Sequence, residues 1–184
     1  MTALGGNDTL ARKLAMVLFG SVLVGMSAQV SVPMYPVPMT LQTLAISLIG
    51  LTYGARLAGV TLAAYLAQAA AGLPFFAGGA SGVVYLFGPT GGFLFGFVAM
   101  AWLTGWLVER GLSRGFGRLF LAAFIPALLL FIPGVLWVWI ITPLDLNAAI
   151  MGGAVPFQLG GVVKSAVAAL IVTGAWAAFK ARWS

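Results

Sequence analysis

The sequence predicts an all-α membrane protein with six transmembrane helices. Hydrophobic residues make up 62% of the 184 residues, charged residues only 7%, and the mean hydropathy is +1.10. Soluble domains carry roughly 25% charged residues, so a chain of this composition cannot cover a surface that faces water. Apolar stretches long enough to approach the roughly 20 residues that cross a bilayer recur along the chain. The lipid bilayer is therefore the expected solvent.

Six apolar stretches form the predicted single membrane domain, residues 1–184. They cover approximately 14–32, 40–54, 57–72, 91–108, 119–141 and 157–179. The second and third stretches are short and lie only a few residues apart, so one bent helix is the alternative interpretation of that region.

The positions of the basic residues favour six spans over five. With six spans, Arg56 and the basic residues that flank the first, fourth and sixth stretches fall on one side of the membrane. Lys and Arg in short loops stay cytoplasmic, so both termini are expected inside. The outer loops are then 33–39, 73–90 and 142–156, whose one charge is Asp145. The net charge of +6 is thus a topology signal and does not indicate nucleic-acid binding.

The residue inventory argues against catalysis. The chain has no Cys and no His, which removes thiol nucleophiles, imidazole acid–base chemistry and the usual transition-metal ligands. The acidic residues Asp8, Glu109 and Asp145 lie far apart in sequence. We therefore predict no catalytic residues, no metal site and no cofactor.

The first outer loop is rich in proline, which favours a stiff, extended path. Thr40 follows as the predicted N-cap of the second helix, and Gln42 and Thr43 lie in its first turn. One interpretation is a rigid linker. The other is the edge of a lid that directs amide and hydroxyl groups at a ligand.

The second outer loop is too apolar and too rich in glycine for a solvated linker. Non-helical backbone at membrane depth is tolerated where it is buried in protein or lines a cavity. We therefore expect this loop to fold back over a ligand pocket at the mouth of the bundle, with Phe75, Phe76 and Tyr85 as candidate walls.

Lys164 is the one charge inside the sixth span, about 10 Å below its outer end at 1.5 Å per residue. A lysine at the centre of a membrane helix costs about 2.5–3.5 kcal/mol, and no span contains an acidic partner. The alternatives are snorkelling to the surface and hydrogen bonding to backbone carbonyls. A ligand carboxylate that enters from outside is the partner we favour.

Three loop segments in a fixed order resemble the signatures of the biotin-specific S components, the BioY family, of energy-coupling factor transporters. They are PVPMTLQT (36–43), GLPFFAGG (72–79) and GPTGG (88–92). The resemblance covers nearly the whole chain. It implies a subunit that binds biotin outside and releases it inside, together with a membrane coupling protein and two cytoplasmic ATPases.

The resemblance also implies roles for individual residues. Lys164 is expected to bind one polar end of biotin, with the carboxylate as first choice, and Gln42, Thr43 and Tyr85 to supply hydrogen bonds. Phe75 with the turn at Gly78 and Gly79 is expected to enclose the bicycle. Two small residues that open the first helix are expected to dock on the coupling protein, namely Ala11 and Ala15.

The sequence departs from the family pattern in the sixth span. The family usually carries Gly-Asp-x-x-Lys there, and this chain keeps Gly160 and Lys164 but has Gly161 at the position of the Asp. One polar contact to the ligand is thereby in question.

Three other functions stay open at this level. They are an S component for another carboxylated vitamin, a membrane-embedded enzyme that modifies lipid, and a structural assembly subunit that binds no small molecule. The loop segments argue against the first, and the missing His, Cys and paired acids argue against the second.

Overall fold

The computed structural model describes residues 10–181, and most of them are helical; the predicted domain limits, residues 1 and 184, lie outside this range. A short antiparallel hairpin, β1 (Ser31–Val32) with β2 (Met39–Thr40), separates the first two helices. The helices are α1 (Leu10–Gln29), α2 (Gln42–Tyr53), α3 (Ala55–Ala70), α4 (Val83–Leu86), α5 (Gly91–Glu109), α6 (Phe116–Leu129), α7 (Phe131–Ile141), α8 (Leu146–Gly153) and α9 (Phe157–Ala181), with a 3-10 turn at Ala77–Gly79.

The prediction of a helical membrane protein is confirmed. Within residues 10–181, four helical stretches are long and apolar enough to cross a bilayer, and α2 is a shorter apolar helix. Side chains that would be buried in a soluble protein face outward, among them Ile140 and Leu159, at 72% and 77% exposure. Lipid satisfies such a surface, whereas water would not. The four long stretches are Leu10–Gln29, Gly91–Glu109, Phe116–Ile141 and Leu146–Phe179.

α2 and α3 are two antiparallel helices, so the alternative of one bent helix is wrong. The chain reverses at Gly54, whose φ of +79° suits glycine. The Nε2 atom of Gln42 in α2 donates a hydrogen bond of 2.7 Å to the hydroxyl of Tyr65 in α3. In one continuous helix these two residues would lie about 35 Å apart, at 1.5 Å per residue.

α5 packs against α2, α3, α6 and α7 and forms the centre of the bundle. Close approach depends on glycine at position 105, where an added Cβ atom would lie 2.4 Å from the backbone nitrogen of Ala55. That same nitrogen donates a hydrogen bond of 2.8 Å to Oε1 of Glu109, at the end of α5. The carboxylate therefore satisfies a free N–H group at the start of α3, where negative charge is favoured.

The predicted span 119–141 is two helices that run on from each other through Leu130, which keeps helical dihedral angles. Pro133 has no N–H group to donate to the carbonyl of Leu129, so the hydrogen-bond ladder is interrupted at this point.

Loops and short elements cover one end of the bundle, which we call the capped end. The β1–β2 hairpin, the 3-10 turn, α4 and α8 lie there, and the turn at Gly54 lies at the opposite end of α2. Phe76 is fully buried beneath this cover, and the Nε1 atom of Trp137 donates a hydrogen bond of 3.0 Å to the carbonyl of Gly88. The folding of residues 73–90 over a ligand pocket on the outer side of the membrane stays a prediction.

We expect Gly105→Ala to destabilise the protein, because the added methyl group would meet backbone atoms that have no rotamer with which to move away. Overpacking of this kind costs about 1–3 kcal/mol. Gly174→Ala is the matched control, since it is also a helix position but has nothing within 4 Å of the added Cβ. Thermal unfolding in detergent should show a lower Tm for Gly105→Ala alone; equal Tm values would contradict the packing account.

Candidate functional site

A mostly apolar cavity lies beneath the capped end of the bundle, between α2, α5, α6, α7 and α9. Its cover comes from the β1–β2 hairpin, the 3-10 turn and α4. Its volume is about 60 Å³. The cavity is lined by Val37, Pro38, Thr40, Gln42, Thr43, Ser47, Ala77, Tyr85, Thr90, Phe93, Leu94, Phe97, Ala127, Leu130, Phe131, Phe157, Gly161, Lys164 and Ser165.

Lys164 enters this cavity from α9 and is only partly exposed. Its Nζ atom donates a hydrogen bond of 2.6 Å to the backbone carbonyl of Thr40 in β2. Of the acidic residues within 10–181, Glu109 bonds the start of α3 and Asp145 accepts from an N–H group at the start of α8. The ammonium is therefore held by a neutral carbonyl dipole, and in the described part of the chain no carboxylate neutralises it.

Hydrogen bonds through Thr40 and Gln42 connect the hairpin to α3. The hydroxyl of Thr40 donates to Oε1 of Gln42 at 3.0 Å and accepts from its backbone N–H at 3.2 Å. Nε2 of Gln42 donates to the Tyr65 hydroxyl, which in turn donates to the carbonyl of Phe75 at 3.3 Å. The predicted N-cap role of Thr40 is wrong in detail, because α2 begins at Gln42 and Leu41 occupies the cap position.

Aromatic rings from three helices form one wall of the cavity. Phe131 of α7 lies between Phe93 of α5 and Phe157 of α9, with ring centroids 6.2 Å and 6.1 Å away. The ring of Phe93 reaches this position because Gly134 leaves space for it; a Cβ atom there would lie 2.3 Å from the ring. This wall offers flat apolar surface to a ligand.

Five of the predicted site residues line the cavity, namely Lys164, Gln42, Thr43, Tyr85 and Gly161. Contact of each with a ligand stays a prediction.

Three other predicted residues lie elsewhere. Phe75 packs against Gly25 and stacks on Tyr65, and the exposed residues Gly78 and Gly79 have positive φ values in the turn that follows. Ala77 is the residue of that turn that reaches the cavity. A role for Phe75 and the two glycines in enclosing a ligand stays a prediction, and it requires this loop to move.

The predicted docking residues Ala11 and Ala15 lie one helical turn apart near the start of α1, and both are exposed. Their contact with a partner also stays a prediction.

Ser47 and Ser165 are among the polar residues of the lining that sequence reasoning missed. Both are 1% exposed. A signal was present in each case: Ser47 lies one helical turn after Thr43, and Ser165 lies next to Lys164 and one turn after Gly161. The aromatic wall could not be found in this way, because its three rings come from helices that are distant in sequence.

The apolar helical surface is combined with a mostly apolar cavity, and Lys164 is the one cation among the described residues that line it. This combination is typical of a membrane-embedded protein that binds a small molecule. Comparison with known proteins specifies this class further. The BioY family matches residues 1–181, and the chain belongs to the BioY family. The resemblance seen in the loop segments is thereby confirmed, and the chain is a transport protein and not an enzyme.

Named relatives agree with this family. The biotin transporter BioY of Thermotoga maritima is 36% identical over 152 residues, which are 82% of this chain and 88% of that protein. The biotin transporter BioY2 of Lactococcus lactis is 32% identical over 158 residues, which are 86% of each chain. The crystal structure of the S-component for biotin from an ECF-type ABC transporter has the same fold, with a TM-score of 0.80, 21% identity, and 91% and 92% of the two chains covered.

We expect Tyr65→Phe to destabilise the protein, because the amide of Gln42 would lose its buried acceptor and the carbonyl of Phe75 its donor. A buried polar group left without its partner costs about 1–3 kcal/mol. Tyr53→Phe makes the same chemical change at a half-buried hydroxyl that bonds to none of residues 10–181. Thermal unfolding in detergent should give a lower Tm for Tyr65→Phe than for Tyr53→Phe. Equal Tm values would contradict a stabilising role of this hydrogen-bond network.

Proposed function

We propose that this chain is the substrate-capture subunit of an ECF-type importer and that it binds biotin at the capped end of the bundle. The observation that carries the proposal is the Lys164 ammonium in a mostly apolar cavity, where it bonds to a backbone carbonyl. A ligand carboxylate would supply the missing negative charge and a stronger, charge-assisted hydrogen bond. The names of the relatives support biotin as the molecule that carries this carboxylate.

The membrane topology we propose has six spans, with both termini in the cytoplasm of a bacterial cell and the capped end outside. Arg56 follows the turn at Gly54, and Ala55 beside it contacts Glu109 at the end of α5, next to Arg110. Basic residues from two connections thus share one end of the bundle, as the positive-inside rule requires for a cytoplasmic end. α2 and α3, with 12 and 16 residues, are short spans in this topology.

Biotin entry requires the cover of the cavity to move. A cavity of about 150 Å³ accommodates benzene, and the cavity here measures about 60 Å³, whereas biotin is larger than benzene. The β1–β2 hairpin is the part of the cover that Lys164 holds through Thr40. Exchange of the Thr40 carbonyl for a ligand carboxylate would therefore connect ligand binding to the position of the hairpin.

Release into the cytoplasm is assigned to the partners that the family implies, a membrane coupling protein and two ATPases driven by ATP. Ala11 and Ala15 are the proposed docking residues, because small exposed residues one turn apart let a second helix approach closely. Coupling then depends on a different affinity of the partner for the ligand-loaded and ligand-free states.

A second candidate is an S component for another carboxylated vitamin, because a lysine recognises the carboxylate and not the rest of the molecule. Calorimetric titration of the purified protein with a panel of carboxylated vitamins decides between the two candidates.

We expect Lys164→Met to weaken biotin binding by about 10- to 100-fold, because a hydrogen bond to a charged group contributes about 1.5–3 kcal/mol. Calorimetric titration of the purified, biotin-free protein measures this change. Lys13→Met is the matched control, since it makes the same substitution at an exposed lysine in the first turn of α1. Equal affinities of the two variants would contradict the role of Lys164.

Gly161→Asp completes the experiment. No atom lies within 4 Å of the added Cβ, so this variant is expected to fold. If biotin binds to Gly161→Asp but not to the starting protein, the family assignment holds and the site is weakened by the glycine. If neither protein binds biotin, the proposed substrate is wrong.

A further inference from the structure

The serine and threonine hydroxyls of the helices fall into two sets. The described helices contain nine serine and threonine residues. Six of these donate to the backbone carbonyl three or four residues earlier, as such hydroxyls in apolar helices usually do. These six are Ser21, Ser27, Thr52, Thr61, Thr104 and Thr173.

The other three hydroxyls, on Thr43, Ser47 and Ser165, bond to none of residues 10–181, and all three line the cavity. Thr43 lies in the first turn of α2, where the residue four positions earlier belongs to β2 and offers no helical carbonyl. Ser47 and Ser165 have no such reason, because each lies inside a helix with carbonyls available one turn earlier.

Burial makes these two serines unusual. Ser47 and Ser165 are each 1% exposed, and a buried hydroxyl without a partner is unfavourable. They come from α2 and α9, two helices that pack against each other. Two of the three unpartnered hydroxyls that line the cavity thus belong to buried serines on neighbouring helices, and each can both donate and accept a hydrogen bond.

We propose that Ser47 and Ser165 form the subsite for the neutral, hydrogen-bonding head group of the ligand. This inference rests on the proposed function, and for biotin the head group is the ureido ring. Its carbonyl accepts and its N–H groups donate, so it matches a pair of hydroxyls. Neutral hydroxyls do not compensate the charge of a carboxylate, which Lys164 does.

Ser47 and the Lys164 ammonium lie at different depths in the cavity, which fits a ligand with a polar group at each end. Ser47 lies five residues into α2 from Gln42, about 7.5 Å along the axis. The ammonium of Lys164 lies nearer the capped end, because it bonds to the carbonyl of Thr40 in the cover. The head group thus lies deep against the hydroxyls, and the carboxylate lies near the cover.

The test compares biotin with biotin methyl ester, which keeps the ureido ring and loses the carboxylate charge. Titrations use the starting protein, Ser47→Ala, Ser165→Ala and Lys164→Met. Ser21→Ala is the matched control, because its hydroxyl is also fully buried but bonds to the carbonyl of Leu18. Alanine favours helix formation, and thermal unfolding verifies that the variants are folded.

We expect each cavity serine variant to weaken both ligands by the same factor, about threefold to tenfold, which is the usual contribution of one neutral hydrogen bond. Lys164→Met should weaken biotin but not the ester, and Ser21→Ala should change neither.

If the serine variants bind both ligands as tightly as the starting protein does, the subsite is wrong while the proposed function stands. If they weaken biotin but not the ester, the hydroxyls hold the carboxylate and the orientation is reversed. If the starting protein binds neither ligand, the proposed function itself fails.

Discussion

The hydrogen bond from Lys164 to the carbonyl of Thr40 is the interaction on which the rest of the site depends. A charged side chain at membrane depth costs about 2.5–3.5 kcal/mol on insertion scales, so the ammonium must find a partner. The fold provides one by placing β2 of the hairpin next to α9. From Thr40 the polar contacts continue through Gln42 and Tyr65 to the carbonyl of Phe75. One network thus connects α9, the hairpin, α2, α3 and the loop that carries Phe75. Under the proposed function, a ligand that displaced the Thr40 carbonyl would act on all of them.

Close helix packing is what brings these groups together. Without glycine at position 105, α5 could not lie against the α2–α3 turn, and without Gly134 the ring of Phe93 could not enter the aromatic wall. In lipid, association of helices relies on such close contacts, because burial of apolar side chains gains little when the solvent is itself apolar. Glycine therefore serves the stability of the bundle at position 105 and the shape of the cavity at position 134.

The sequence alone was enough for the class of protein, the approximate helices, the family and the lysine that lines the cavity. These depend on composition, on local hydropathy and on contiguous segments. Contacts between distant segments were less accessible, such as the packing of Phe75 against Gly25 and the wall around Phe131, which is assembled from three helices. Ser47 was missed for a different reason. Its position one turn after Thr43 was a signal, but a serine in a helix usually bonds to its own backbone, so the residue type alone does not mark a site residue.

The central claim is that the Lys164 ammonium exchanges a backbone carbonyl for a group of the ligand. NMR of protein labelled with ¹⁵N at the Nζ atoms of its lysines, Lys13, Lys164 and Lys180, tests this directly, with Lys164→Met to assign the resonance. The account predicts that saturating biotin shifts the Lys164 resonance and leaves that of Lys13 unchanged. A Lys164 resonance that stays in place while biotin is bound would contradict the account.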